Sequence, residues 1–424
     1  MIIKDFQKLK SRISEVASRV DLNDQKIESI KSQVQEILTI VRKEKLAGIK
    51  RLTEKFDKKK IDNFKVSCKG CFDKLDPEVQ KALQLAAKRI RRFQEVCLPK
   101  KYELIDGEDK LEIRFTPLDS VGVYVPGGTA PLVSTLLMTV IPAQVAGVQR
   151  IVVISPPNIH LGIHPGILGA ADLLGIEEIY QIGGAQGIGA LAYGIEEIDL
   201  EPVDKIVGPG NLYVTLAKKE VYGIVGIDAL YGPSELLIIA DENANPISIV
   251  NDLMGQLEHG SGFEATCLLT NSQELAEKVI KEFDAILQTQ PKKEAIAKAW
   301  NQFGIIGVVE KLEECAELSN VFAPEHLEIK VKEYDKLLPL IKHAGAIFLG
   351  GSNEALGDYL AGPSHCLPTG RSARFSSGLS VMDFLKRSSL VNMKATKELI
   401  EATAILARVE GLEAHAKSAE SVGL

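Results

Sequence analysis

The chain has 424 residues, 45% of them hydrophobic and 25% charged, the proportions of an ordinary folded protein with room for about three domains. Its formal net charge of −7 argues against a nucleic-acid partner, whose phosphates favour a basic face. No apolar run approaches a membrane span and the N-terminus, MIIKDFQKLKSR, lacks a secretory pattern; the six scattered cysteines, Cys68, Cys71, Cys97, Cys267, Cys315 and Cys366, form no disulfide framework, so a reducing cytoplasm is the expected setting.

Residues 1–60 read as helical and strongly charged. Ile27, Ile30, Val34, Ile37 and Val41 follow a 3-4-3-4 spacing, one apolar stripe expected to pack on another element or on a partner subunit. Cys68-Lys-Gly-Cys71 is a lone Cys-x-x-Cys with no second pair to complete a zinc ribbon, so plain partly buried thiols are expected. Asp76-Pro77 reads as an N-cap and a first-turn proline, opening a helix to about Cys97 with Val79, Leu83, Ile90 and Phe93 inward. From residue 120 short apolar runs alternate with Gly/Pro breaks and helical stretches. Strands are expected at 120–125, 150–155, 178–182, 204–207 and 236–240, with helices at 132–145, 166–174, 186–193 and 211–221 between them. A helix at 246–258, a strand at 265–270, a helix at 273–287, strands at 304–309 and 346–349, and a mainly helical tail from about Met382 complete the pattern. Such alternation predicts an α/β fold of parallel sheets covered by helices, with ligands beyond the C-terminal strand ends, where the Gly-rich breaks fall.

Several segments can carry chemistry. Ala323-Pro324-Glu325-His326-Leu327 sets a carboxylate beside an imidazole, two proton-transfer groups at one place. Pro324 fixes its own φ and pushes Ala323 towards extended geometry. Ala-Pro-Glu also occurs in protein kinases, but the chain has no His-Arg-Asp, Asp-Phe-Gly or Val-Ala-Ile-Lys. If the segment were a flat strand, Glu325 and His326 would point to opposite faces. Sharing one substrate therefore predicts a departure from strand geometry at Pro324–His326.

The loop Gly183-Gly184-Ala185-Gln186-Gly187-Ile188-Gly189 follows an expected strand and opens an expected helix. It reads either as a contact for a nucleotide's phosphates or as tight turn geometry alone. Gln256 and His259 share a helical face and, with a carboxylate and a further imidazole, suit a borderline metal; a capped, solvated helix end is the alternative. Asp358 and His365 lie in the long Gly/Pro-rich loop 357–370, with Asp358 either an oxygen ligand or a turn residue. Glu410 and His415 lie in the tail, roughly 140° apart on a continuous helix, and a break near Gly411 would bring them together. His160 and His164 have metal-ligand spacing, but Gly162 and three prolines make that segment a loop. His343 has nothing around it to support a role.

Eight segments together resemble the histidinol dehydrogenase family over roughly residues 30–420: VGVYVPGG (121–128), GGAQGIGALAYG (183–194), DKIVGPGN (204–211), GPSELLIIAD (232–241), QLEH (256–259), APEHLE (323–328), GDYLAGPSHCLPTGRSARFSSGLSV (357–381) and EGLEAH (410–415). The resemblance implies oxidation of L-histidinol through L-histidinaldehyde to L-histidine with two NAD⁺, in the last steps of histidine synthesis. It implies one Zn²⁺ per subunit held by Gln256, His259, Asp358 and His415, chiefly to bind the substrate's imidazole and amine. His326 would take the alcohol proton and Glu325 would activate water on the aldehyde. Ser234, His365 and Glu410 would join the metal ligands and His326 in contacting substrate, and Tyr124, Gln186 and Asn211 would contact NAD⁺. The implied fold has two incomplete Rossmann-like lobes with parallel sheets flanked by helices, plus small helical N- and C-terminal segments. Residues 26–120 with 236–380 would form the first lobe and 121–235 the second, after an N-terminal segment at 1–25. The tail, 381–424, would reach the partner's active site in an intertwined homodimer, with the stripe at 27–41 near the interface. Gly260-Ser261 follows His259 where the family usually has Asp-Pro, and Tyr231 stands where a small residue is usual. A family member oxidising a different amino alcohol is the alternative reading.

Overall fold

The computed structural model describes residues 2–20, 27–127, 131–158 and 162–422. His160 lies outside the described residues, as do Gly128 of the 121–128 motif and residues 21–25 of the expected N-terminal segment. The early strands are β1 Ile2–Ile3, β2 Lys65–Val66, β3 Tyr102–Asp106, β4 Asp109–Pro117 and β5 Ser120–Tyr124. Next come β6 Arg150–Ile154, β7 Glu178–Tyr180, β8 Lys205–Val207, β9 Gly226–Ile227 and β10 Glu235–Ala240. The last are β11 Ala265–Thr270, β12 Gly304–Val308, β13 His326–Lys330, β14 Ala346–Leu349 and β15 Leu385–Asn392. The chain divides into two compact units, Met1–Leu98 with Leu118–Phe384, and Pro99–Pro117 with Leu385–Leu424.

The larger unit holds two six-stranded sheets. One runs β1-β12-β11-β10-β13-β14 and is parallel throughout. Its central strands, ELLIIA and ATCLLT, are buried at every residue, as strands covered on both faces must be. Alternation divides β10 between two cores. Leu237 and Ile239 pack with Leu9 and Ile13 of the helix Phe6–Ala17 and with Leu318 and Phe322 of the helix Leu312–Phe322. Leu236 and Ile238 pack with Ile249, Leu253, Val279 and Phe283 from the helices Pro246–Leu257 and Gln273–Leu287.

The other sheet runs β2-β7-β6-β5-β8-β9, parallel except for β2. The long helix Glu28–Asp57 lies on it. Its Val34, Ile37, Leu38 and Val41 share a core with Tyr124, Ile154, Tyr180 and Ile188, so the 27–41 stripe is buried within its own chain rather than at a partner. Residues 28–66 thus pack with 121–235, whereas the expected grouping put them with 236–380; Phe6–Ala17 packs on the first sheet. An amphipathic stripe states that a face is buried, not against what. Gly189 is explained by this packing: a Cβ there would stand 3.1 Å from Leu38 Cδ2 and 3.2 Å from Val41 Cγ1.

The helix Pro77–Val96 starts at the expected Asp76 cap, whose side chain accepts from the Glu78 N–H. Leu83 and Ile90 face inward as expected, but Val79 and Phe93 are exposed. The smaller unit differs more. Residues 385–392, expected within a helical tail, form β15, which pairs antiparallel with β4; β4 pairs with β3 across the two-residue turn Gly107-Glu108. Two helices follow, Lys397–Val409 and Glu413–Glu420. β15 is exposed along nearly its whole length, so no apolar alternation marks it in sequence.

Both large sheets reverse direction at their centre. The order steps outward from β5 through β6 to β7 and then returns to β8, and likewise from β10 through β11 to β12 and back to β13. Such switch points open a crevice between neighbouring strands. At the first, Gly208 follows β8 with φ +108°, and a Cβ there would press into the Tyr124 carbonyl oxygen. Gly208→Ala is therefore expected to cost about 2–3 kcal/mol through backbone strain, read as a lower melting temperature, whereas the same change at open, negative-φ Gly255 leaves stability near that of the parent.

Candidate functional site

The first switch point gathers the three expected cofactor positions. Tyr124 ends β5, Gln186 lies in the first turn of the helix Gly184–Tyr193, and Asn211 caps the helix Leu212–Val221, its Oδ1 accepting from the Val214 N–H at 3.2 Å. All stand at the C-terminal ends of their strands. Tyr124 is buried; the Gly184 N–H donates to its hydroxyl oxygen at 3.1 Å, and burial pushes the phenol up to about 12. Gln186 Nε2 reaches Asp57 Oδ2 at 3.4 Å, and burial raises Asp57 to about 6.

The expected acid/base pair sits at the second switch point, at the opposite edge. His326 opens β13 and pairs in register with Leu236, one residue into β10, so this site lies at the N-terminal strand ends rather than beyond the C-terminal ones. Helices that follow parallel strands run back towards this edge, and Gln256 arrives in the last turn of one of them, Pro246–Leu257. Asp358 arrives on the π-helical turn Gly357–Ala361, an element frequent at functional sites.

Glu325 and His326 do reach one place, because Pro324 and Glu325 depart from strand geometry; His326, expected to depart with them, is already the first residue of β13. Ala323 departs from the expected extended conformation: it takes φ 52°, ψ 61° as the left-handed cap of the helix Leu312–Phe322, its N–H donating to Ser319 O at 2.8 Å. This reverses the chain within one fully buried residue, against a preference of roughly 1–2 kcal/mol. Glu325 forms a bend, and the regular strand begins only at His326. Both side chains then close on the peptide groups of Glu235. Its N–H donates to Glu325 Oε2 at 2.9 Å, and its carbonyl oxygen lies 3.1 Å from His326 Nδ1. A carbonyl can only accept, so Nδ1 carries the ring proton in the neutral imidazole and Nε2 keeps its lone pair. Nε2 is buried, 3.4 Å from Asp358 Oδ1, and has no hydrogen-bond partner among the described residues.

Carboxylates crowd this ring. The ligand atoms of His326, Glu354 and Asp358 lie within 4.8 Å of one another, and Glu325 Oε2 is 3.6 Å from Nδ1. Burial alone would push His326 down, but Asp358, Glu354 and Glu325 outweigh it and hold the ring well above its usual range. Burial pushes Glu325 up to about 8, against the pull of His326. Burial also raises Glu354 well above the carboxylate range. For Asp358 burial is overcome by His326, with His365 and His259 adding to the fall. A cluster so rich in negative charge suits a cation.

The amide of Gln256 is satisfied when its NH2 donates to both Glu354 oxygens, at 2.8 and 2.5 Å, leaving its oxygen to face the Glu235 N–H and the Ser234 hydroxyl at 3.2 and 3.3 Å. His259 Nδ1 lies 3.1 Å from the Gln256 carbonyl oxygen, the outer hydrogen bond that usually orients a metal-binding imidazole. His365 is pinned between the Asp358 carbonyl oxygen at Nδ1, 3.0 Å, and Thr135 Oγ1 at Nε2, 3.1 Å; burial lowers it. The structure therefore brings Ser234, Gln256, Glu325, His326 and Asp358 to one edge, with His259 and His365 beside Asp358. Glu410 and His415 belong to the smaller unit, on either side of Gly411 (φ +76°), which ends the first helix. Cys68 and Cys71 are free thiols, as expected.

Sequence reasoning missed Glu235, Glu354 and Thr135. Glu235 acts through its backbone, which no motif reports, and burial makes Glu354 important. Asn353, an N-cap whose side chain accepts from the Leu356 N–H, did mark the turn that carries Glu354. The two departures from the family pattern are accommodated locally. Glu264 accepts the N–H groups of Ser261 and Gly262 at 2.6 and 2.9 Å, and Tyr231 is buried with its hydroxyl donating to Asp228 at 2.9 Å.

Comparison with known proteins agrees with this geometry. The histidinol dehydrogenase family model matches residues 20–421. A histidinol dehydrogenase of Bacillus cereus is 46% identical over 99% of this chain and 97% of its own length. Histidinol dehydrogenase 2 of a Nostoc species is 44% identical over 98% of this chain and 97% of its own. The crystal structure of histidinol dehydrogenase from Elizabethkingia anophelis superposes with a TM-score of 0.92 at 33% identity, covering 99% of this chain and 96% of that one. With matches of this extent in sequence and in structure, the chain belongs to the histidinol dehydrogenase family.

Proposed function

We propose that this protein is a zinc- and NAD⁺-dependent L-histidinol dehydrogenase, oxidising L-histidinol through L-histidinaldehyde to L-histidine at the end of histidine synthesis. The observation that carries the reading, beside family membership, is the Glu325–His326 pair held on the peptide groups of Glu235 with His326 Nε2 turned to Asp358 Oδ1 at 3.4 Å. A cation held among Asp358 and Glu354 would offset the negative charge that keeps the ring protonated, and neutral His326 Nε2 then receives the hydroxyl proton as the first hydride leaves for NAD⁺. Glu325 then takes a proton from water as it adds to the aldehyde. The hydrated aldehyde releases the second hydride to a second NAD⁺, so one alcohol gives one acid and two NADH. Tyr124, Gln186 and Asn211 border the crevice for the dinucleotide, where Gly184 and Gly208 let backbone approach closely.

The donors fit zinc. Gln256 presents an oxygen because Glu354 holds its NH2, His259 has its Nδ1 engaged, and Asp358 carries the lowered carboxylate. His415 supplies the fourth ligand from the tail, with Glu410 near it on the substrate. Zinc supplies a Lewis-acid anchor for the substrate's imidazole and amine, to which the Ser234 hydroxyl adds a hydrogen bond, while His365, held by Asp358 and Thr135, contacts the substrate through its ring face. We place the donating tail on a second copy of the chain. The smaller unit leaves Leu104, Ile105, Val391, Ile405, Leu406 and Val409 exposed, an apolar surface of the kind that a homodimer with shared sites buries. No helix among the described residues is long and apolar enough to cross a membrane, and the free cysteines suit a reducing cytoplasm. No observation favours another amino alcohol as substrate.

Three outcomes are expected. Purified protein should release two NADH per L-histidinol, lose this activity to a chelator and regain it with zinc; inertness with zinc restored would refute the assignment. Glu325→Gln should slow oxidation of histidinaldehyde by a factor on the order of 10²–10⁴, the usual worth of a positioned base, and an unchanged aldehyde rate would remove Glu325 from water activation. Mixing inactive Glu325→Gln and His415→Ala subunits, then exchanging them, should regenerate about a quarter of the parent sites if each site draws on two chains; no recovery despite proven exchange would mean that each site is built from one chain.

A further inference from the structure

The pair Glu325–His326 is only as well placed as the Glu235 peptide groups it holds, and something must hold those. Arg19 does so from the N-terminal segment, just beyond the helix Phe6–Ala17. Its Nη1 meets Glu235 Oε1 at 2.9 Å, with the two side chains only 4% and 1% exposed. Its Nη2 donates to the carbonyl oxygens of Pro233 at 3.1 Å and Ser234 at 3.3 Å. Nε donates to Phe263 O at 2.5 Å and Nη1 also to Val16 O at 3.1 Å, fixing the guanidinium from the far side. The Gly370 N–H closes on the same Glu235 oxygen at 3.2 Å.

One planar cation thus ties Val16, Phe263, Pro233, Ser234 and Glu235 together. A buried, fully engaged arginine of this kind costs desolvation that a lysine or an apolar residue would avoid, so its fork geometry has a use. Anchored to Val16 and Phe263 on one side, it grips on the other the three residues that present the Ser234 hydroxyl and the two Glu235 groups to the reacting pair. We propose that Arg19 is a positioning residue for both oxidation steps: its guanidinium fixes the Pro233–Glu235 backbone, and through it the directions of Glu325 and His326. The N-terminal segment is then part of the active site without touching substrate. This inference rests on the roles assigned to Glu325 and His326.

Arg19→Lys separates charge from geometry, since a lysine keeps the ion pair with Glu235 but cannot fork across the Pro233 and Ser234 carbonyls. It should melt near the parent temperature while kcat falls about tenfold or more on both alcohol and aldehyde, the scale set by small misplacements of reacting groups, with KM for NAD⁺ unchanged. In the enzyme without substrate, amide hydrogen exchange at Glu235 should quicken, a readout independent of the chemistry. The paired variant Arg19→Gln with Glu235→Gln removes both charges together, leaves neither buried alone, and should show the same kcat loss, which keeps the test decisive if the lysine variant does not fold. Parent-like kcat or parent-like exchange at Glu235 in a folded variant overturns the proposal. A parent enzyme inert towards histidinol, with exchange at Glu235 quickened in the variant, instead removes the reading on which it rests.

Discussion

The two peptide groups of Glu235 are the constraint on which the rest of the site depends. A residue at the start of a central parallel strand turns its N–H and its C=O towards the same neighbouring strand. Here each is taken by one member of a sequence-adjacent acid and base. Burial pushes Glu325 up to about 8 against the pull of the His326 ring and of this N–H, a range in which a carboxyl can exchange protons with water. The carbonyl dictates the His326 tautomer and turns the other nitrogen to the reacting side. The strand supplies both groups through its backbone, and the Arg19 guanidinium grips that backbone at Pro233 and Ser234.

The two switch points face different ends of their strands. The one between β5 and β8 uses C-terminal ends, where helix N-termini and glycines let backbone N–H groups approach an anionic ligand. The one between β10 and β13 uses N-terminal ends, where returning helices deliver the side chains of Gln256 and Asp358. This division suits the chemistry. A dinucleotide is gripped largely by backbone at helix starts, whereas a small polar substrate and a metal need side-chain donors brought from several elements. The segment that joins the two regions is short. Asp228 accepts the Gly208 N–H at 2.7 Å and pairs with the buried Lys218, and seven residues later the chain is at Glu235.

What the sequence revealed follows from the range of the forces involved. The helix Pro77–Val96 was legible because its cap, Asp76, and its first-turn proline are local signals. Most strands of the two large sheets were legible because continuous apolar runs report burial on both faces. The partner of the 28–57 helix was not, since Val34, Ile37 and Val41 would look the same against either sheet. β15 was not, because exposed strands are held by backbone pairing that leaves no alternation. The left-handed Ala323 overrode a sound local rule: the residue before a proline prefers extended geometry, but a helix that must reverse into β13 within one residue needs positive φ there. Glu325, His326, Gln256 and Asp358 could be named from residue type and motif. Glu235, Glu354 and Arg19 could not, because what matters about them is a peptide direction, a depth of burial and a fork spanning more than 200 positions of sequence.

These features also show where the fold gives up stability for its site. A non-glycine residue at positive φ, two carboxyls pushed up by burial and an imidazole nitrogen with no hydrogen bond among the described residues are each unfavourable, and all lie within a few residues of His326 or Asp358. They are tolerated because the strands they hang from are locked elsewhere. β10 and β13 lie in register from Leu236–His326 to Ala240–Lys330, with fully buried Leu237, Ile239, Leu327 and Ile329 packed into one core. Relaxing any one of the strained groups would mean moving a strand end out of that register, which costs far more than the strain itself. The crowded carboxylates add a second constraint: their repulsion is relieved when a cation or a proton enters the cluster. Such a site is most stable when occupied, so a cation among these carboxylates would tighten the edge of the sheet that carries Glu325 and His326.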